Sequence, residues 1–456
     1  MRNTCILVLA ATLAAAPACD LDVGDLNNPG IDQLEDNPTP SGVSSACTGL
    51  LIGTRRNHAA NNGYVVQLGI LGREAYDFDT ADPRFFTELL QAKLNAGSPF
   101  GGNFWQLPYS NIRLANTILK AVEKVSEFSD TDKAGIRGFS KSIMALDLLE
   151  VINTRDDIGA VIDTDKDIHD LGAIATKTEV LAKIASLLDE GATDLAGGGD
   201  AFVFQLSSGF ADFDTPETFR KFNRALRARV AAYQKDYATA LTALGESFIT
   251  DTAVNQAALD VGVYYSYSTA SGDATNGMVN PNIFAHPSLA TDAMMNGTTK
   301  DLRFTRKVET TDSQGGAGVM SDLAFTLYKS PDSPVALIRN EELLLLRAEA
   351  KFFTSDVPGA VADLNIVRTV SGGLQPIAGT PAEAAFVTDL LYEREFSLLM
   401  EGHRWIDWRR FGKLDSLPLD MPTGDNPQHV RNKRYPIPQA ECNARTGEPQ
   451  CELDSI

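Results

Sequence analysis

The 456-residue chain is 43% hydrophobic and 22% charged, the balance of a globular protein large enough for one big domain or two to three ordinary ones. Its formal charge of −20 and pI near 4.7 exclude nucleic acid as a partner, which requires a basic face. They argue equally against adsorption to anionic lipid.

Arg2 and the apolar, alanine-rich run 5–16, too short to span a bilayer, read as a secretory signal ending in Ala16-Pro17-Ala18-Cys19. Small residues before a cysteine resemble a bacterial lipoprotein processing site, at which Cys19 becomes the acylated N-terminus. Ordinary secretory cleavage after Ala18 is the alternative, and either route takes the protein out of the cytoplasm. Residues 20–41 hold six acidic side chains and no basic one, a composition that cannot bury a face of its own. The chain therefore divides into a signal peptide (1–18), a lipid anchor with an acidic tether (19–40), and one domain (41–456). The acidic run also resembles the surface-export signal of some outer-membrane lipoproteins. Of the remaining cysteines, Cys442 and Cys451 flank a turn-rich loop and are a disulfide candidate in an exported protein. No second Cys or His pair stands near them to complete a metal site, and no cofactor motif is present. Cys47, in an apolar helical stretch, reads as a buried free thiol.

Along the domain, residues 41–71 show an irregular helical pattern, and 72–102 form a polar and aromatic segment. Trp105, Tyr109, Ile112, Ala115, Leu119 and Val122 then trace one helical face. Asp130-Thr131-Asp132 opens the next helix, which buries Ile136, Phe139, Ile143, Leu146 and Leu149. A helix over 179–188 is expected to end in the glycine-rich run 191–199. Thr215-Pro216-Glu217 is a strong helix start, followed by Phe219, Phe222, Leu226 and Val230, a break at Gln234-Lys235-Asp236, and a restart to 241. Residues 341–350, the turn Ser355-Asp356, and 360–370 repeat this design. Helix, short turn and helix with small contact residues is the pattern of tetratricopeptide-type hairpins. About 90 residues separate the two units, so the reading is a helical scaffold with large insertions. The main insertion, 251–334, is expected to be loop-rich, and long loops on a rigid scaffold carry binding groups. Thr380-Pro381-Ala382-Glu383 reads as a capping box, and the tail as coil.

Residues 391–412 hold two of the three tryptophans and a dense run of charge. They are either an active site, with Glu393, Glu395, Glu401 and His403 as acid and base, or a core clamp in which Trp405 and Trp408 pack and the charges satisfy one another. On a helix, Glu393 and Glu395 point about 200° apart, and arginines at 394, 404, 409 and 410 favour ionised carboxylates over a raised pKa. Neither condition suits a glycosidase. His403 lacks a metal-spaced partner, and no phosphate loop or Gly-x-Ser-x-Gly motif is present, so the clamp is the favoured reading.

Several of these residues recur in one order: Trp105…Tyr109…Ile112…Ala115-Asn116, Ile338-Arg339-Asn340-Glu341, Leu364-Asn365…Val367-Arg368, Glu393-Arg394-Glu395, Glu401-Gly402-His403-Arg404-Trp405…Asp407…Arg409-Arg410…Gly412, and Tyr435-Pro436-Ile437-Pro438. In this the chain resembles the SusD/RagB family over nearly its whole mature length, with Asn340 standing where the family has a small or apolar residue. The resemblance implies a mostly α fold of tetratricopeptide-like hairpins, tethered to outer-membrane lipid at the cell surface. It implies a non-catalytic protein that captures a nutrient, often an oligosaccharide, for a SusC-like TonB-dependent transporter. It also gives Asp301, Arg303 and Lys329 scaffold roles. A tetratricopeptide-like scaffold for a peptide or protein is the alternative.

A sugar site needs aromatic faces with amide, hydroxyl and charged neighbours. Two regions carry that mix: Tyr76, Asp77, Asp79, Arg84, Phe100, Asn103 and Phe104, and then Tyr264, Tyr265, Tyr267 and Asn282 with Asn276 and Asn280. The same aromatics would equally serve to pin long loops to the body. Trp105, at the head of an amphipathic face, reads as core with a ligand contact open to it.

Overall fold

The computed structural model describes residues 31–166, 170–252, 254–420, 422–445 and 447–452. The expected signal peptide and the lipid site at Cys19 lie outside the described residues. No helix among those described is long and apolar enough to cross a membrane.

Helices dominate, and the main ones stack in chain order. Pro40–Thr54, Pro99–Lys124, Asp130–Arg155, Lys177–Ala196, Pro216–Gln234, Tyr237–Gly245, Asn340–Phe353, Val357–Val370 and Glu383–Ser397 each pack against the one before. Reciprocal caps set their starts: Ser129 with Asp132, Thr176 with Glu179, and Thr215 with Thr218 ahead of Pro216. The two units separated in sequence are adjacent in space. Ala231, Ala240 and Ala350 are all fully buried in one small cluster, and Tyr237 stacks on Phe353 at 4.8 Å. Small side chains at that contact let the helices on either side of the insertion approach directly, so the stack runs unbroken past it.

Four expectations need correction. The acidic tether does not extend to residue 40: Ile31–Asp36 is helical and packs on Pro99–Lys124 with Leu34 buried. The helix expected to stop before Gly191 continues to Ala196, because the glycines there permit a close crossing. A Cβ on Gly138 would stand 2.8 Å from the Gly191 carbonyl oxygen and 2.6 Å from Leu195 Cγ. The box at Thr380 does not form, since Glu383–Ser397 begins after Ala382 without a side-chain cap. The tail is coil to Pro438, but Gln439–Ala444 and Pro449–Glu452 are short helices.

The insertion is less loop-like than its composition suggests. Gly262–Tyr265 pairs antiparallel with Val335–Arg339. Ile283–Ala285 lies inside a four-stranded sheet, flanked by Ala75–Asp77 on one side and by Val319–Phe325 then Val308–Gly316 on the other. The last two strands form a hairpin through Ala317-Gly318, both with positive φ, the two-residue turn that matches strand twist. Val308–Gly316 buries only its first residue, so it carries no alternation to announce it. Cys47 is a buried free thiol, and Cys442 and Cys451 are disulfide-bonded.

The Gly138–Gly191 crossing is testable. Alanine gains about 1 kcal/mol of helix propensity over glycine, but here its methyl group meets backbone atoms that cannot rotate away. Gly138→Ala is therefore expected to lower stability in urea unfolding, with a net loss of about 1–3 kcal/mol from overpacking.

Candidate functional site

The charged stretch 391–412 is a closed network inside the scaffold. Glu393 is fully buried and receives Arg303 Nη1 at 2.5 Å and Arg368 Nη1 at 2.7 Å. Arg303 in turn holds Asp301, as the resemblance implied, whereas Lys329 is exposed. Arg394 pairs with Asp407 at 2.7 Å, and Arg410 with Asp407 at 2.9 Å and Glu349 at 2.5 Å. Arg339 bridges Glu401 and Glu341, and Arg229 holds Glu342 at 2.6 Å. A turn with positive φ at Met400 and Gly402 reverses the chain after Glu383–Ser397, so that Arg404–Arg410 can insert Trp405. That indole is fully buried, donates to the Asn432 carbonyl at 2.8 Å, and packs edge-on against Tyr435. The signature is thereby fastened to the closing Tyr-Pro-Ile-Pro.

Burial decides the titration of these groups more than the arginines do in some cases and less in others. Burial would raise Glu341 and Glu342, but Arg339 and Arg229 respectively hold each at about 2. At Glu395 burial wins over Arg404, lifting the carboxyl to about 7, against the expectation that every carboxylate here stays ionised. Glu74 behaves alike: one oxygen accepts from Met400 N at 3.3 Å, the other has no partner, and burial pushes its pKa to about 8. Burial lowers His403 to about 4, so it is neutral near pH 7. Glu393 and Glu395 serve different arginines and neither reaches solvent, so they cannot flank one substrate bond.

Strand pairing brings the first aromatic region beside the Asn282 end of the second, while Tyr264 and Tyr265 lie in a separate sheet, and the larger part of both regions is buried. Tyr76 pairs with Phe284 across the sheet, and its hydroxyl lies 3.1 Å from His286 Nε2. His286 and His429 both bond Asp420, which they hold below the usual carboxylate range against burial. Asp77, Phe100 and Phe104 are also buried, and burial raises Asp77 to about 6. Asp79, Arg84 and Asn103 are half-buried; Arg84 chelates Asp82 and lies 4.5 Å over the Phe100 ring. In the second region Tyr265 and Tyr267 are buried, while Tyr264 and Asn282 are half-buried. The Asn282 carbonyl accepts from Phe78 N, which fixes the edge of the sheet. Tyr265 and Tyr267 border two smaller hollows of about 460 and 240 Å³ beside the Arg55–Asp273 pair. Most of these aromatics are buried by position: Phe100 and Phe104 on the inner face of helix Pro99–Lys124, Tyr76 in a strand buried at every residue, and Tyr265 on the inward side of Gly262–Tyr265.

A larger cleft, about 740 Å³, lies along Pro99–Lys124. Its floor is Trp105 and Tyr109, ring centres 4.9 Å apart. Its opposite wall is formed by residues of 161–166 and 170–172, and Glu441 and Arg445 close one end. The Tyr109 hydroxyl donates to Val161 O at 2.9 Å and accepts from Val161 N at 2.6 Å; burial keeps it protonated. Gln106, Ser110 and Arg113 are exposed along the helix. Sequence reasoning placed Trp105 and Tyr109 on a core face and overlooked the polar residues beside them. Their spacing of four and three is a second stripe on the same helix, and the acidic run near 163–170 was the other available signal. Among the described residues no group of His, Cys, Asp and Glu is placed to hold a metal ion.

A stack of helical hairpins carrying a sheet-bearing insertion and a surface cleft defines the class, and comparison with known proteins agrees. Residues 326–448 match the model of the SusD family. A SusD-like carbohydrate-binding protein from Bacteroides fragilis shares the fold with a TM-score of 0.69 at 16% identity, over 89% of this chain and 98% of that one. A SusD superfamily protein from Bacteroides vulgatus (TM-score 0.66, 15% identity, 90% and 98% coverage) and a laminarin-binding SusD-like protein (0.61, 17%, 89% and 97%) do likewise. No curated protein matches the chain in sequence. The C-terminal part of the chain thus matches the SusD family, and the fold around it is the one shared by these SusD-like structures.

Two outcomes follow. Trp405→Ala should cost about 3–5 kcal/mol in denaturant unfolding. Glu74 titrates near pH 8 folded and near 4.3 unfolded, so its contribution is full below about pH 4.3 and is lost as pH rises through 8. Glu74→Gln should flatten that decline when unfolding is compared at pH 5 and pH 8.5.

Proposed function

We propose that this protein is a non-catalytic nutrient-binding lipoprotein of the cell surface. It is anchored to the outer membrane through lipid on Cys19, takes up an oligosaccharide in the cleft beside Trp105 and Tyr109, and passes it to a SusC-like TonB-dependent transporter. The observation carrying the reading is the cleft itself. Its volume of about 740 Å³ falls in the range of ligand sites, roughly 300–1,000 Å³. It joins an aromatic floor to amide, hydroxyl and charged side chains, the chemistry a pyranose recognises. The laminarin-binding and carbohydrate-binding relatives by fold lend support.

Charge narrows the ligand. Four cationic and five acidic side chains line the cleft, and most pair with one another: Lys120 with Asp165, Lys166 with Asp163 at 2.9 Å, Arg445 with Glu441 at 2.6 Å. A site so nearly balanced suits a neutral oligosaccharide better than a polyanionic one. Binding without turnover is supported by the burial of Glu393, Glu395 and Asp407 with arginine partners.

Calorimetry of the mature protein against a panel of neutral and acidic oligosaccharides tests the reading. A neutral glycan should bind unchanged over hours. Gln106→Ala should weaken it about two- to tenfold, the worth of one hydrogen bond. Hydrolysis of the glycan, or binding indifferent to Gln106 and Arg113, would contradict it. Co-purification from outer membranes should bring down a large β-barrel protein; its consistent absence would remove the transporter from the account.

A further inference from the structure

The wall of the cleft has little stiffness of its own. Its base is a two-residue antiparallel pairing of Ala160 and Val161 with Ala175 and Ile174. Beyond that, its described residues are tied to the body at Val161 by the Tyr109 hydroxyl, at Thr164 O by Asn116 Nδ2 at 3.0 Å, at Asp165 by Lys120, and at Gly172 O by the Arg445 guanidinium. The two limbs touch at Gly172, where a Cβ would stand 2.6 Å from Asp163 O. Arg445 is therefore the side chain that ties the returning limb, 170–172, to the body.

Arg445 is itself held from the C-terminal side. Its side chain is 7% exposed, and its Nε donates to Glu441 at 2.6 Å. It stands inside the loop that Cys442 and Cys451 close, nine residues apart, and both cysteines pack against the main core. The flanking helices have six and four residues, far short of what holds an isolated helix together. The cross-link removes the conformational freedom that such a segment would otherwise keep.

Resting on the cleft as the ligand site, we infer that the C-terminal disulfide pair is a clamp: it fixes Arg445, which positions the returning limb of the wall, residues 170–172, opposite Trp105 and Tyr109. Binding at the cleft then depends on the redox state of Cys442 and Cys451. Arg445 acts through backbone geometry at Gly172 and is a positioning residue.

Hydrogen exchange and calorimetry on the mature protein, with and without reductant, and on Arg445→Gln and the double variant Cys442→Ser/Cys451→Ser, test this. Amides of 160–166 and 172–175 should exchange about tenfold faster in all three perturbed states, with those of Asp130–Arg155 unchanged, and affinity for the oligosaccharide should fall about tenfold. Unchanged exchange in that segment overturns the clamp, whatever the affinity. Faster exchange in a protein that binds no glycan even when oxidised keeps the clamp and rejects the cleft as the sugar site. Because Arg445→Gln keeps the disulfide, a folding failure confined to the double variant leaves the test intact.

Discussion

Four carboxylates without access to water set how the helical body closes. Glu341, Glu342, Glu393 and Asp407 are each at most 2% exposed, and a buried charge left unpaired costs several kcal/mol. Each is met by an arginine from a different element: Arg339 from the strand before Asn340–Phe353, Arg229 from Pro216–Gln234, Arg303 from the insertion, Arg394 from Glu383–Ser397. The net energy of such pairs is small, since desolvation offsets most of the attraction. Their effect is on register, because a helix displaced by one turn would strand a charge.

That constraint divides the molecule's labour. The chemically conspicuous residues are committed to one another, and the Trp405 indole is committed to Asn432 and Tyr435. What remains for the proposed ligand is the outer side of the earlier hairpin, where Pro99–Lys124 meets residues 161–166 and 170–172. Rigid helices carry one side of that cleft and a short braced segment the other, the usual distribution of scaffold and recognition.

The helical stack was readable from period, and in two elements from the start signal as well: Thr215-Pro216 and Asp130-Thr131-Asp132 both open helices where the pattern begins. The charge network was readable from the arginines interleaved with Glu393 and Glu395, although the raised titration of Glu395 was not, since burial is invisible in sequence. The insertion's strands escaped because Ala75–Asp77 and Ile283–Ala285 are three residues each and pair over two hundred positions apart. The candidate binding residues were hardest. Tyr76 and Phe104 look like sugar platforms by type, but their strand and helix positions turn them inward. Gln106, Ser110 and Arg113 look like ordinary helix surface until residues 161–166 and 170–172 are seen to face them across the cleft.

A crystal structure of the mature protein soaked with a neutral oligosaccharide tests the central claim most directly. The account predicts a sugar ring against Tyr109 and the edge of Trp105, hydrogen-bonded to Gln106 or Arg113, with residues 391–412 unmoved. Density at Glu393, Glu395 or His403 would contradict it.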